Sequence, residues 1–156
     1  MESLKKLYKD LERYSHFGEG AEYPEKFLET ADKIILLRNP DSISELLKYF
    51  DDESEYTWVF ESLKISIDYF DSENVVFHLF KNLPNLLKKS PIWSSAILNR
   101  ILNAEECEKF FIKNAHLAKK KDIFYFLETF VKEYPHHKEK IKELRDLLKN
   151  NLDSNS

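Results

Sequence analysis

The placement of glycine constrains the fold of this chain more than any other feature of the sequence. Among 156 residues there are only two glycines, Gly18 and Gly20, so the last 136 positions contain none. Doubly wound α/β folds and β-sandwiches need glycine at tight turns, and many nucleotide sites need it in phosphate-binding loops. Residues 21–156 therefore exclude a glycine-rich phosphate loop, and the composition favours a helical protein.

Apolar residues recur at the spacing of an α-helix along the whole chain. This periodicity predicts about nine helices joined by short links. They cover approximately residues 2–16, 24–37, 43–50, 56–70, 73–89, 91–102, 105–118, 121–133 and 136–149. Pro84 lies inside the fifth of these, so we expect a kink or a break near Asn82–Pro84.

Short links favour antiparallel packing of neighbouring helices. We therefore expect residues 1–149 to form one all-α domain of about nine short helices stacked as antiparallel hairpins, followed by a polar, frayed tail at 150–156. The stack is either a HEAT-like array or an irregular α-bundle, since no sequence repeat of fixed period is present.

Local patterns also predict helix caps and burial. Asp41 or Ser42 is expected to cap the third helix, with Glu45 completing a capping box, and Ser90 is expected to cap the helix that begins at Pro91. The helix at 56–70 carries two separate apolar groups. Because it is apolar around most of its circumference, we expect neighbours to bury it on more than one side.

Residue types that carry chemistry occur without the spacings that catalysis or metal binding requires. The five histidines form no His-Glu-x-x-His pair, and the single Cys107 excludes a disulfide framework and a cysteine-based zinc site. We expect His78 to be a hydrogen-bonded structural histidine, His136 and His137 to lie in an exposed turn, and acidic neighbours to raise the pKa of Cys107. The sequence predicts no enzyme, no catalytic residue, no metal and no cofactor.

Charge is distributed unevenly along the chain. Residues 41–73 contain ten acids and two bases, a net charge of −8, whereas residues 74–150 contain fifteen bases and nine acids, a net charge of +6. Aromatic residues beside the acids would anchor a basic protein, because opposite charge speeds encounter and aromatic contacts slow release. The candidate binding residues are Asp51, Asp52, Glu53, Glu55, Tyr56, Trp58, Asp71 and Glu73. In the alternative interpretation, Trp58 belongs to the core and the acids cap helices.

The lysines at 119–121 and 138–149 raise the possibility of RNA binding, or of an enzyme that works through this half of the chain. Acids are interleaved through the same helices, and the aromatic residues there fall at core spacing. A solvated helix face is the better interpretation, so no nucleic-acid partner is predicted.

Five short motifs lie in residues 41–103, about 40 % of the chain. They are Tyr49-Phe50-Asp51-Asp52, Phe60-Glu61-Ser62-Leu63, Leu83-Pro84-Asn85-Leu86-Leu87, Ser90-Pro91-Ile92-Trp93 and Leu98-Asn99-Arg100-Ile101-Leu102-Asn103. In their order and spacing they resemble immunity proteins of bacterial polymorphic toxin and contact-dependent growth inhibition systems, in particular immunity protein 30. Within these motifs we expect structural roles for Trp93, Arg100 and Asn103, with Arg100 paired to Asp51 or Asp52 and Asn103 at a helix C-terminus.

The resemblance implies a small, helical, non-enzymatic antitoxin that forms a 1:1 complex with one cognate toxin domain. Such toxins are often nucleases with basic active sites, which the acidic residues 41–73 would cover. The N-terminal residues mix charges and nothing in the sequence approaches a membrane span, so we expect a cytoplasmic protein. The rival hypothesis is a HEAT-like interaction scaffold that neutralises no toxin.

Overall fold

A computed structural model describes residues 2–104 and 106–154, and the side chains up to residue 150. Every regular element in these residues is helical, which confirms the predicted all-α class. The ten α-helices are α1 (Leu4–Tyr14), α2 (Tyr23–Leu36), α3 (Ser42–Leu47), α4 (Thr57–Ile67), α5 (Ser72–Lys81), α6 (Leu83–Lys89), α7 (Pro91–Ile101), α8 (Cys107–Asn114), α9 (Lys120–Glu133) and α10 (Lys138–Ser154). Single 3₁₀ turns precede α2, α9 and α10.

The predicted break at Pro84 is confirmed. The fifth predicted helix is divided into α5, which ends at Lys81, and α6, which begins at Leu83. Proline has no N–H group to donate, and a residue in the first turn of a helix needs none, so Pro84 can start α6 but cannot continue α5. At the other end of the chain, α10 continues to Ser154, five residues beyond its predicted end at residue 149. Asn155 and Ser156 lie outside the described residues.

Most of the helices form two rows in which each helix packs on the next one, and α6 packs on α7 and α9. One row contains α2, α4, α7 and α9, and the other contains α3, α5, α8 and α10. α1 packs on α2 and also reaches α3, where the hydroxyl groups of Tyr8 and Ser42 are hydrogen-bonded at 2.7 Å. Two rows of this kind are what a stack of helical hairpins produces; the regularity of a HEAT array stays a prediction.

The core lies between the two rows and is continuous along the stack. Its largest fully buried side chains are six phenylalanines: Phe27, Phe50, Phe80, Phe111, Phe126 and Phe130. His78 of α5 is also buried, and its Nδ1 shares a hydrogen bond of 2.6 Å with the Ser44 hydroxyl group of α3. Asn82 donates to the same hydroxyl group, so the expected hydrogen-bonded role of His78 is confirmed.

The cap positions were predicted more successfully than the capping side chains. Asp41 is the N-cap residue of α3 but its side chain forms no cap hydrogen bond, and the Ser42 hydroxyl group contacts Tyr8 instead of closing a capping box with Glu45. Ser90 is the N-cap residue of α7, yet its buried hydroxyl group has no partner among the described residues. The predicted capping box is therefore wrong, because the Ser42 hydroxyl group is bonded to Tyr8. A side-chain cap by Ser90 is also wrong, because a residue distant in sequence accepts the N–H groups of the first turn of α7.

Candidate protein-binding surface

The outer face of α4 presents a stripe of exposed apolar side chains. Trp58 is 49 % exposed, Ile65 is 53 % exposed and Tyr69, just beyond the helix end, is 74 % exposed. At 100° per residue these three side chains point in one direction, which we call the apolar stripe. Their exposure excludes a core position for Trp58, and it shows that this side of α4 is not one of those that neighbouring helices bury.

The other apolar group of α4 is the one that the core buries, through Val59, Phe60, Leu63 and Ile67. Neighbouring helices occupy the two flanks. Ser66 donates a hydrogen bond of 3.4 Å to Asp32 of α2, and Asp68 forms an ion pair with Arg100 of α7. Since the core and both flanks are occupied, the apolar stripe is left facing the solvent.

Asp52 has a structural contact that the charge pattern did not reveal. Its Oδ2 accepts the backbone N–H of Ile92 at 2.8 Å, and its Oδ1 accepts the backbone N–H of Trp93 at 3.1 Å. These amides belong to the first turn of α7, where N–H groups lack partners within the helix. Asp52, in the link formed by residues 51–55, therefore caps α7. This agrees with the alternative interpretation of the acidic segment, in which the acids cap helices.

The other residues of the 51–55 link differ in their exposure. Asp51 Oδ1 accepts the backbone N–H of Glu53 at 3.0 Å, which closes a local turn. The side chains of Glu53 and Glu55 are exposed at the N-terminal end of α4. Tyr56 is half-buried, with its ring 5.0 Å from that of Phe17. Glu53 and Glu55 are thus the accessible charges of this link.

Asp71 and Glu73 lie at the opposite end of α4. The 11 residues of α4 separate them from the link by about 16 Å along the helix axis. Glu73 forms an ion pair with Lys113 of α8, on the other row of helices, whereas Asp71 borders a groove between α2 and α4. The eight predicted binding residues consequently do not form one continuous patch.

The groove between the C-terminal ends of α2 and α4 has a volume of about 530 Å³. Leu36 and Tyr69 form apolar parts of its wall, and Asp32 and Asp71 contribute carboxylates. Arg38, also in the wall, has a φ angle of 54°, in the left-handed region that non-glycine residues seldom adopt. The groove continues the apolar stripe toward α5 and extends the exposed apolar surface.

Sequence reasoning missed the exposed face of α2. Glu25, Glu29, Asp32 and Leu36 are all exposed, and their spacing of four, three and four residues places them on one side of the helix. The contact between Asp32 and Ser66 directs this side toward α4. The same spacing is present in the sequence, but these acids precede residues 41–73, the segment with the highest negative charge.

The motif residues Trp93, Arg100 and Asn103 have positions that fit structural roles. The Trp93 ring packs 5.9 Å from those of both Phe50 and Phe60, and Asn103 follows the C-cap residue of α7. The predicted pairing of Arg100 with Asp51 or Asp52 is wrong, since Arg100 contacts Asp68.

The distance along α7 accounts for the Arg100 pairing. Asp52 is held at the first turn of α7, and Arg100 lies eight residues beyond Ile92, about 12 Å along the helix axis. At Asp68, partial burial raises the pKa of the carboxyl group, while Arg100 and Lys64 act in the opposite direction.

Reactive and metal-binding groups are poorly placed for chemistry. Cys107 is fully buried, and burial, with a smaller effect of Glu108, raises the pKa of its thiol to about 12. Within residues 2–104 and 106–154, no group of three or more His, Cys, Asp or Glu side chains could hold a metal ion. None of the helices described has both the length and the apolar character of a membrane-spanning segment.

Comparison with known proteins identifies the chain's relatives at the level of a family. The family model described as immunity protein 30 matches residues 15–111, which is more than half of the chain and exceeds the resembling segment at 41–103. No curated protein and no solved structure matches. The matched residues run from the end of α1 into α8 and include the apolar stripe and the acids of α2 and α4. The chain therefore belongs to the immunity protein 30 family, and as an immunity protein it neutralises a toxin.

Proposed function

We propose that this immunity protein acts in the bacterial cytoplasm by forming a 1:1 complex with a cognate toxin domain of nuclease type, as in contact-dependent growth inhibition. Its contact surface, here called the acidic face, combines the apolar stripe with surrounding carboxylates. These residues are Glu25, Glu29, Asp32, Leu36, Glu53, Glu55, Trp58, Glu61, Ile65 and Tyr69. The observation that carries the proposal is the exposure of Trp58, Ile65 and Tyr69 within the most acidic segment of the chain.

The apolar stripe supplies the anchoring contacts. Tryptophan and tyrosine bury large areas and lose little side-chain entropy, so they dominate the energetics of many protein interfaces. Trp58 and Ile65 lie within α4, whose opposite side is packed into the core. The anchors are therefore already ordered before the toxin binds, which lowers the entropic cost of association.

The carboxylates supply steering and selectivity. A nuclease must hold phosphate groups, and it does so with lysine and arginine side chains that neutralise charge. Glu53 and Glu55 at one end of α4 and the exposed acids of α2 present negative charge to such a surface. Glu61 on α4 contributes less, because it forms an ion pair with Lys64 at 2.9 Å. Opposite potentials of this kind raise the association rate and disfavour acidic partners.

Seven of the eight binding residues predicted from the sequence have a place in this proposal. Glu53, Glu55 and Trp58 contact the toxin directly, and Asp71 meets it at the groove beside α2. Asp51, Asp52 and Tyr56 hold the 51–55 link in position through their contacts with Glu53, α7 and Phe17. Glu73 is engaged by Lys113, so we assign it no contact with the toxin.

The decisive experiment compares Trp58→Ala with Tyr125→Ala, since Tyr125 of α9 is an exposed aromatic residue outside the acidic face. With the toxin domain encoded beside this gene, we expect Trp58→Ala to raise the dissociation constant of the complex about 30-fold, a loss of ~2 kcal/mol of binding free energy. Tyr125→Ala should leave it within a factor of about three. Isothermal titration calorimetry measures both values, and rescue of growth on co-expression should follow the same order.

A second pair of measurements tests the charges. Glu53→Lys with Glu55→Lys should slow association, and the loss should be larger at low salt because added salt screens exposed charges. Equal affinities of the Trp58 and Tyr125 variants for the toxin, together with an unchanged association rate of the charge variant, would exclude the acidic face as the toxin-binding surface. Failure of the native protein to bind the toxin while it binds several unrelated proteins would favour the scaffold hypothesis instead.

A further inference from the structure

A second groove lies between α9 and α10, outside the residues that the family model matches. It has a volume of about 680 Å³. Six cationic side chains surround it: Lys120, Lys132, Lys138, Lys142, Arg145 and Lys149. Among the residues that the structure describes, two acids, Glu128 and Asp146, share this lining. We call this feature the basic groove.

The floor of the basic groove is apolar. Leu127 and Ile141 are buried at its base, and Phe124 and Val131 are half-buried beside them. On α9 the lining extends from Lys120 to Lys132, about 18 Å along the helix axis. A channel between two helices with an apolar floor and charged margins has the form that accommodates a third, amphipathic helix.

The details of the lining favour a peptide over a nucleic acid. Binding of single strands usually depends on an aromatic face on which bases stack. Phe124 is the one aromatic residue in the described lining, and its ring already has Lys120 Nζ at 5.6 Å and Arg145 Cζ at 5.3 Å from the centroid. Aliphatic floor residues contribute nothing to phosphate binding but stabilise an apolar helix face.

We propose that the basic groove binds an acidic amphipathic helix of a partner protein. Leucine-like side chains of that helix contact Phe124 and Val131, which lie over the buried Leu127 and Ile141, and its carboxylates lie against the lysines of α9 and α10. The site does not depend on the acidic face, because the two surfaces have opposite charge and residues 120–149 follow the family-matched region. The protein would therefore bind two partners of opposite charge.

The test uses the full chain and a synthetic helical peptide with leucine on one face and glutamate on the other. Methyl NMR spectra should show shifts at Leu127, Val131 and Ile141 on titration. The double variant Lys138→Glu with Lys142→Glu should bind about tenfold more weakly at low salt, as expected for reversed charges at an interface margin. Lys5→Glu with Lys9→Glu changes the net charge equally on α1 and should bind as the native chain does.

Four results would overturn the proposal. The first is no methyl shift at saturating peptide, and the second is equal weakening by both double variants, which would indicate a general charge effect. The third is tighter binding of single-stranded RNA, which displaces the peptide and would assign the groove to nucleic acid. A peptide with lysine in place of glutamate should not bind, and its binding would exclude the role of the lysines. Toxin binding by the Lys138→Glu/Lys142→Glu variant is measured separately and should be unchanged.

Discussion

Asp52 provides the sharpest test of how the acidic segment is used, because the sequence grouped it with binding residues and the structure gives it a contact within the fold. The perturbation is Asp52→Ala. It removes both acceptors from the amides of Ile92 and Trp93, which lie 2.8 and 3.1 Å from the carboxylate oxygens. Pro91 has no N–H group, and the Ser90 hydroxyl group makes no cap hydrogen bond, so no nearby side chain replaces the lost acceptors.

The expected magnitude follows from the two effects that the carboxylate combines. Loss of a side-chain N-cap costs about 1 kcal/mol, within a range of roughly 0.5–2. Loss of a negative charge at a helix N-terminus adds about 0.3–1 kcal/mol. We therefore expect Asp52→Ala to lower the free energy of unfolding by about 2 kcal/mol and the midpoint of thermal unfolding by about 4–8 °C for a chain of this size. Asp52→Asn keeps one acceptor and should lose about half as much.

The assay is equilibrium unfolding in urea, followed by far-ultraviolet circular dichroism, with Glu53→Ala as the matched control. Glu53 is the neighbouring acid, its side chain is exposed, and it has no ion pair in the described structure. Its removal should change the free energy of unfolding by less than about 0.5 kcal/mol. A loss below about 0.5 kcal/mol for Asp52→Ala, or equal losses for both variants, would refute the assignment of Asp52 as the cap of α7.

Two further predictions concern α5 and the end of α2. Burial lowers the pKa of His78 below its usual value of 6.5, so the unfolded chain binds a proton that the folded chain does not. Stability should therefore fall as the pH drops below about 6.5, and His78→Asn should remove this part of the pH dependence in urea midpoints measured from pH 8 to pH 5. Arg38→Gly should raise stability by about 1 kcal/mol because glycine adopts a positive φ angle without strain; a fall in the thermal midpoint would contradict this reasoning.

The helical architecture could be predicted because its determinants are local. Apolar spacing located the helices, and Pro84 located the break between α5 and α6. Capping partners could not be predicted in the same way. Asp52 caps a helix 40 residues further along the chain, and Ser42 contacts Tyr8, which lies 34 residues earlier. Such contacts depend on which helices become neighbours, and the periodicity of a single helix carries no information about that.

The candidate surface was only partly predictable for a related reason. The sequence of α4 reveals two apolar groups, but both have the composition of a core face. Which of them is buried depends on the positions of α2 and α7 on either side of α4. The exposed acids of α2 could have been found from their spacing alone, whereas the ion pair between Glu73 and Lys113 requires the packing of α5 against α8.

The division of α4 into a buried side and an exposed side also bears on how an immunity protein can follow a changing toxin. Val59, Leu63 and Ile67 stabilise the fold from the buried side of α4. Trp58, Ile65 and Tyr69 lie on the exposed side. If the apolar stripe binds the toxin as we propose, substitutions there alter the binding while the buried contacts stay intact. Surface changes of this kind usually cost less than about 0.5 kcal/mol of stability. The acids of the 51–55 link are less independent, because Asp52 holds α7 in place while Glu53 and Glu55 face the solvent. Variation in binding is therefore best tolerated at Glu53, Glu55 and the stripe, where it leaves the cap of α7 unchanged.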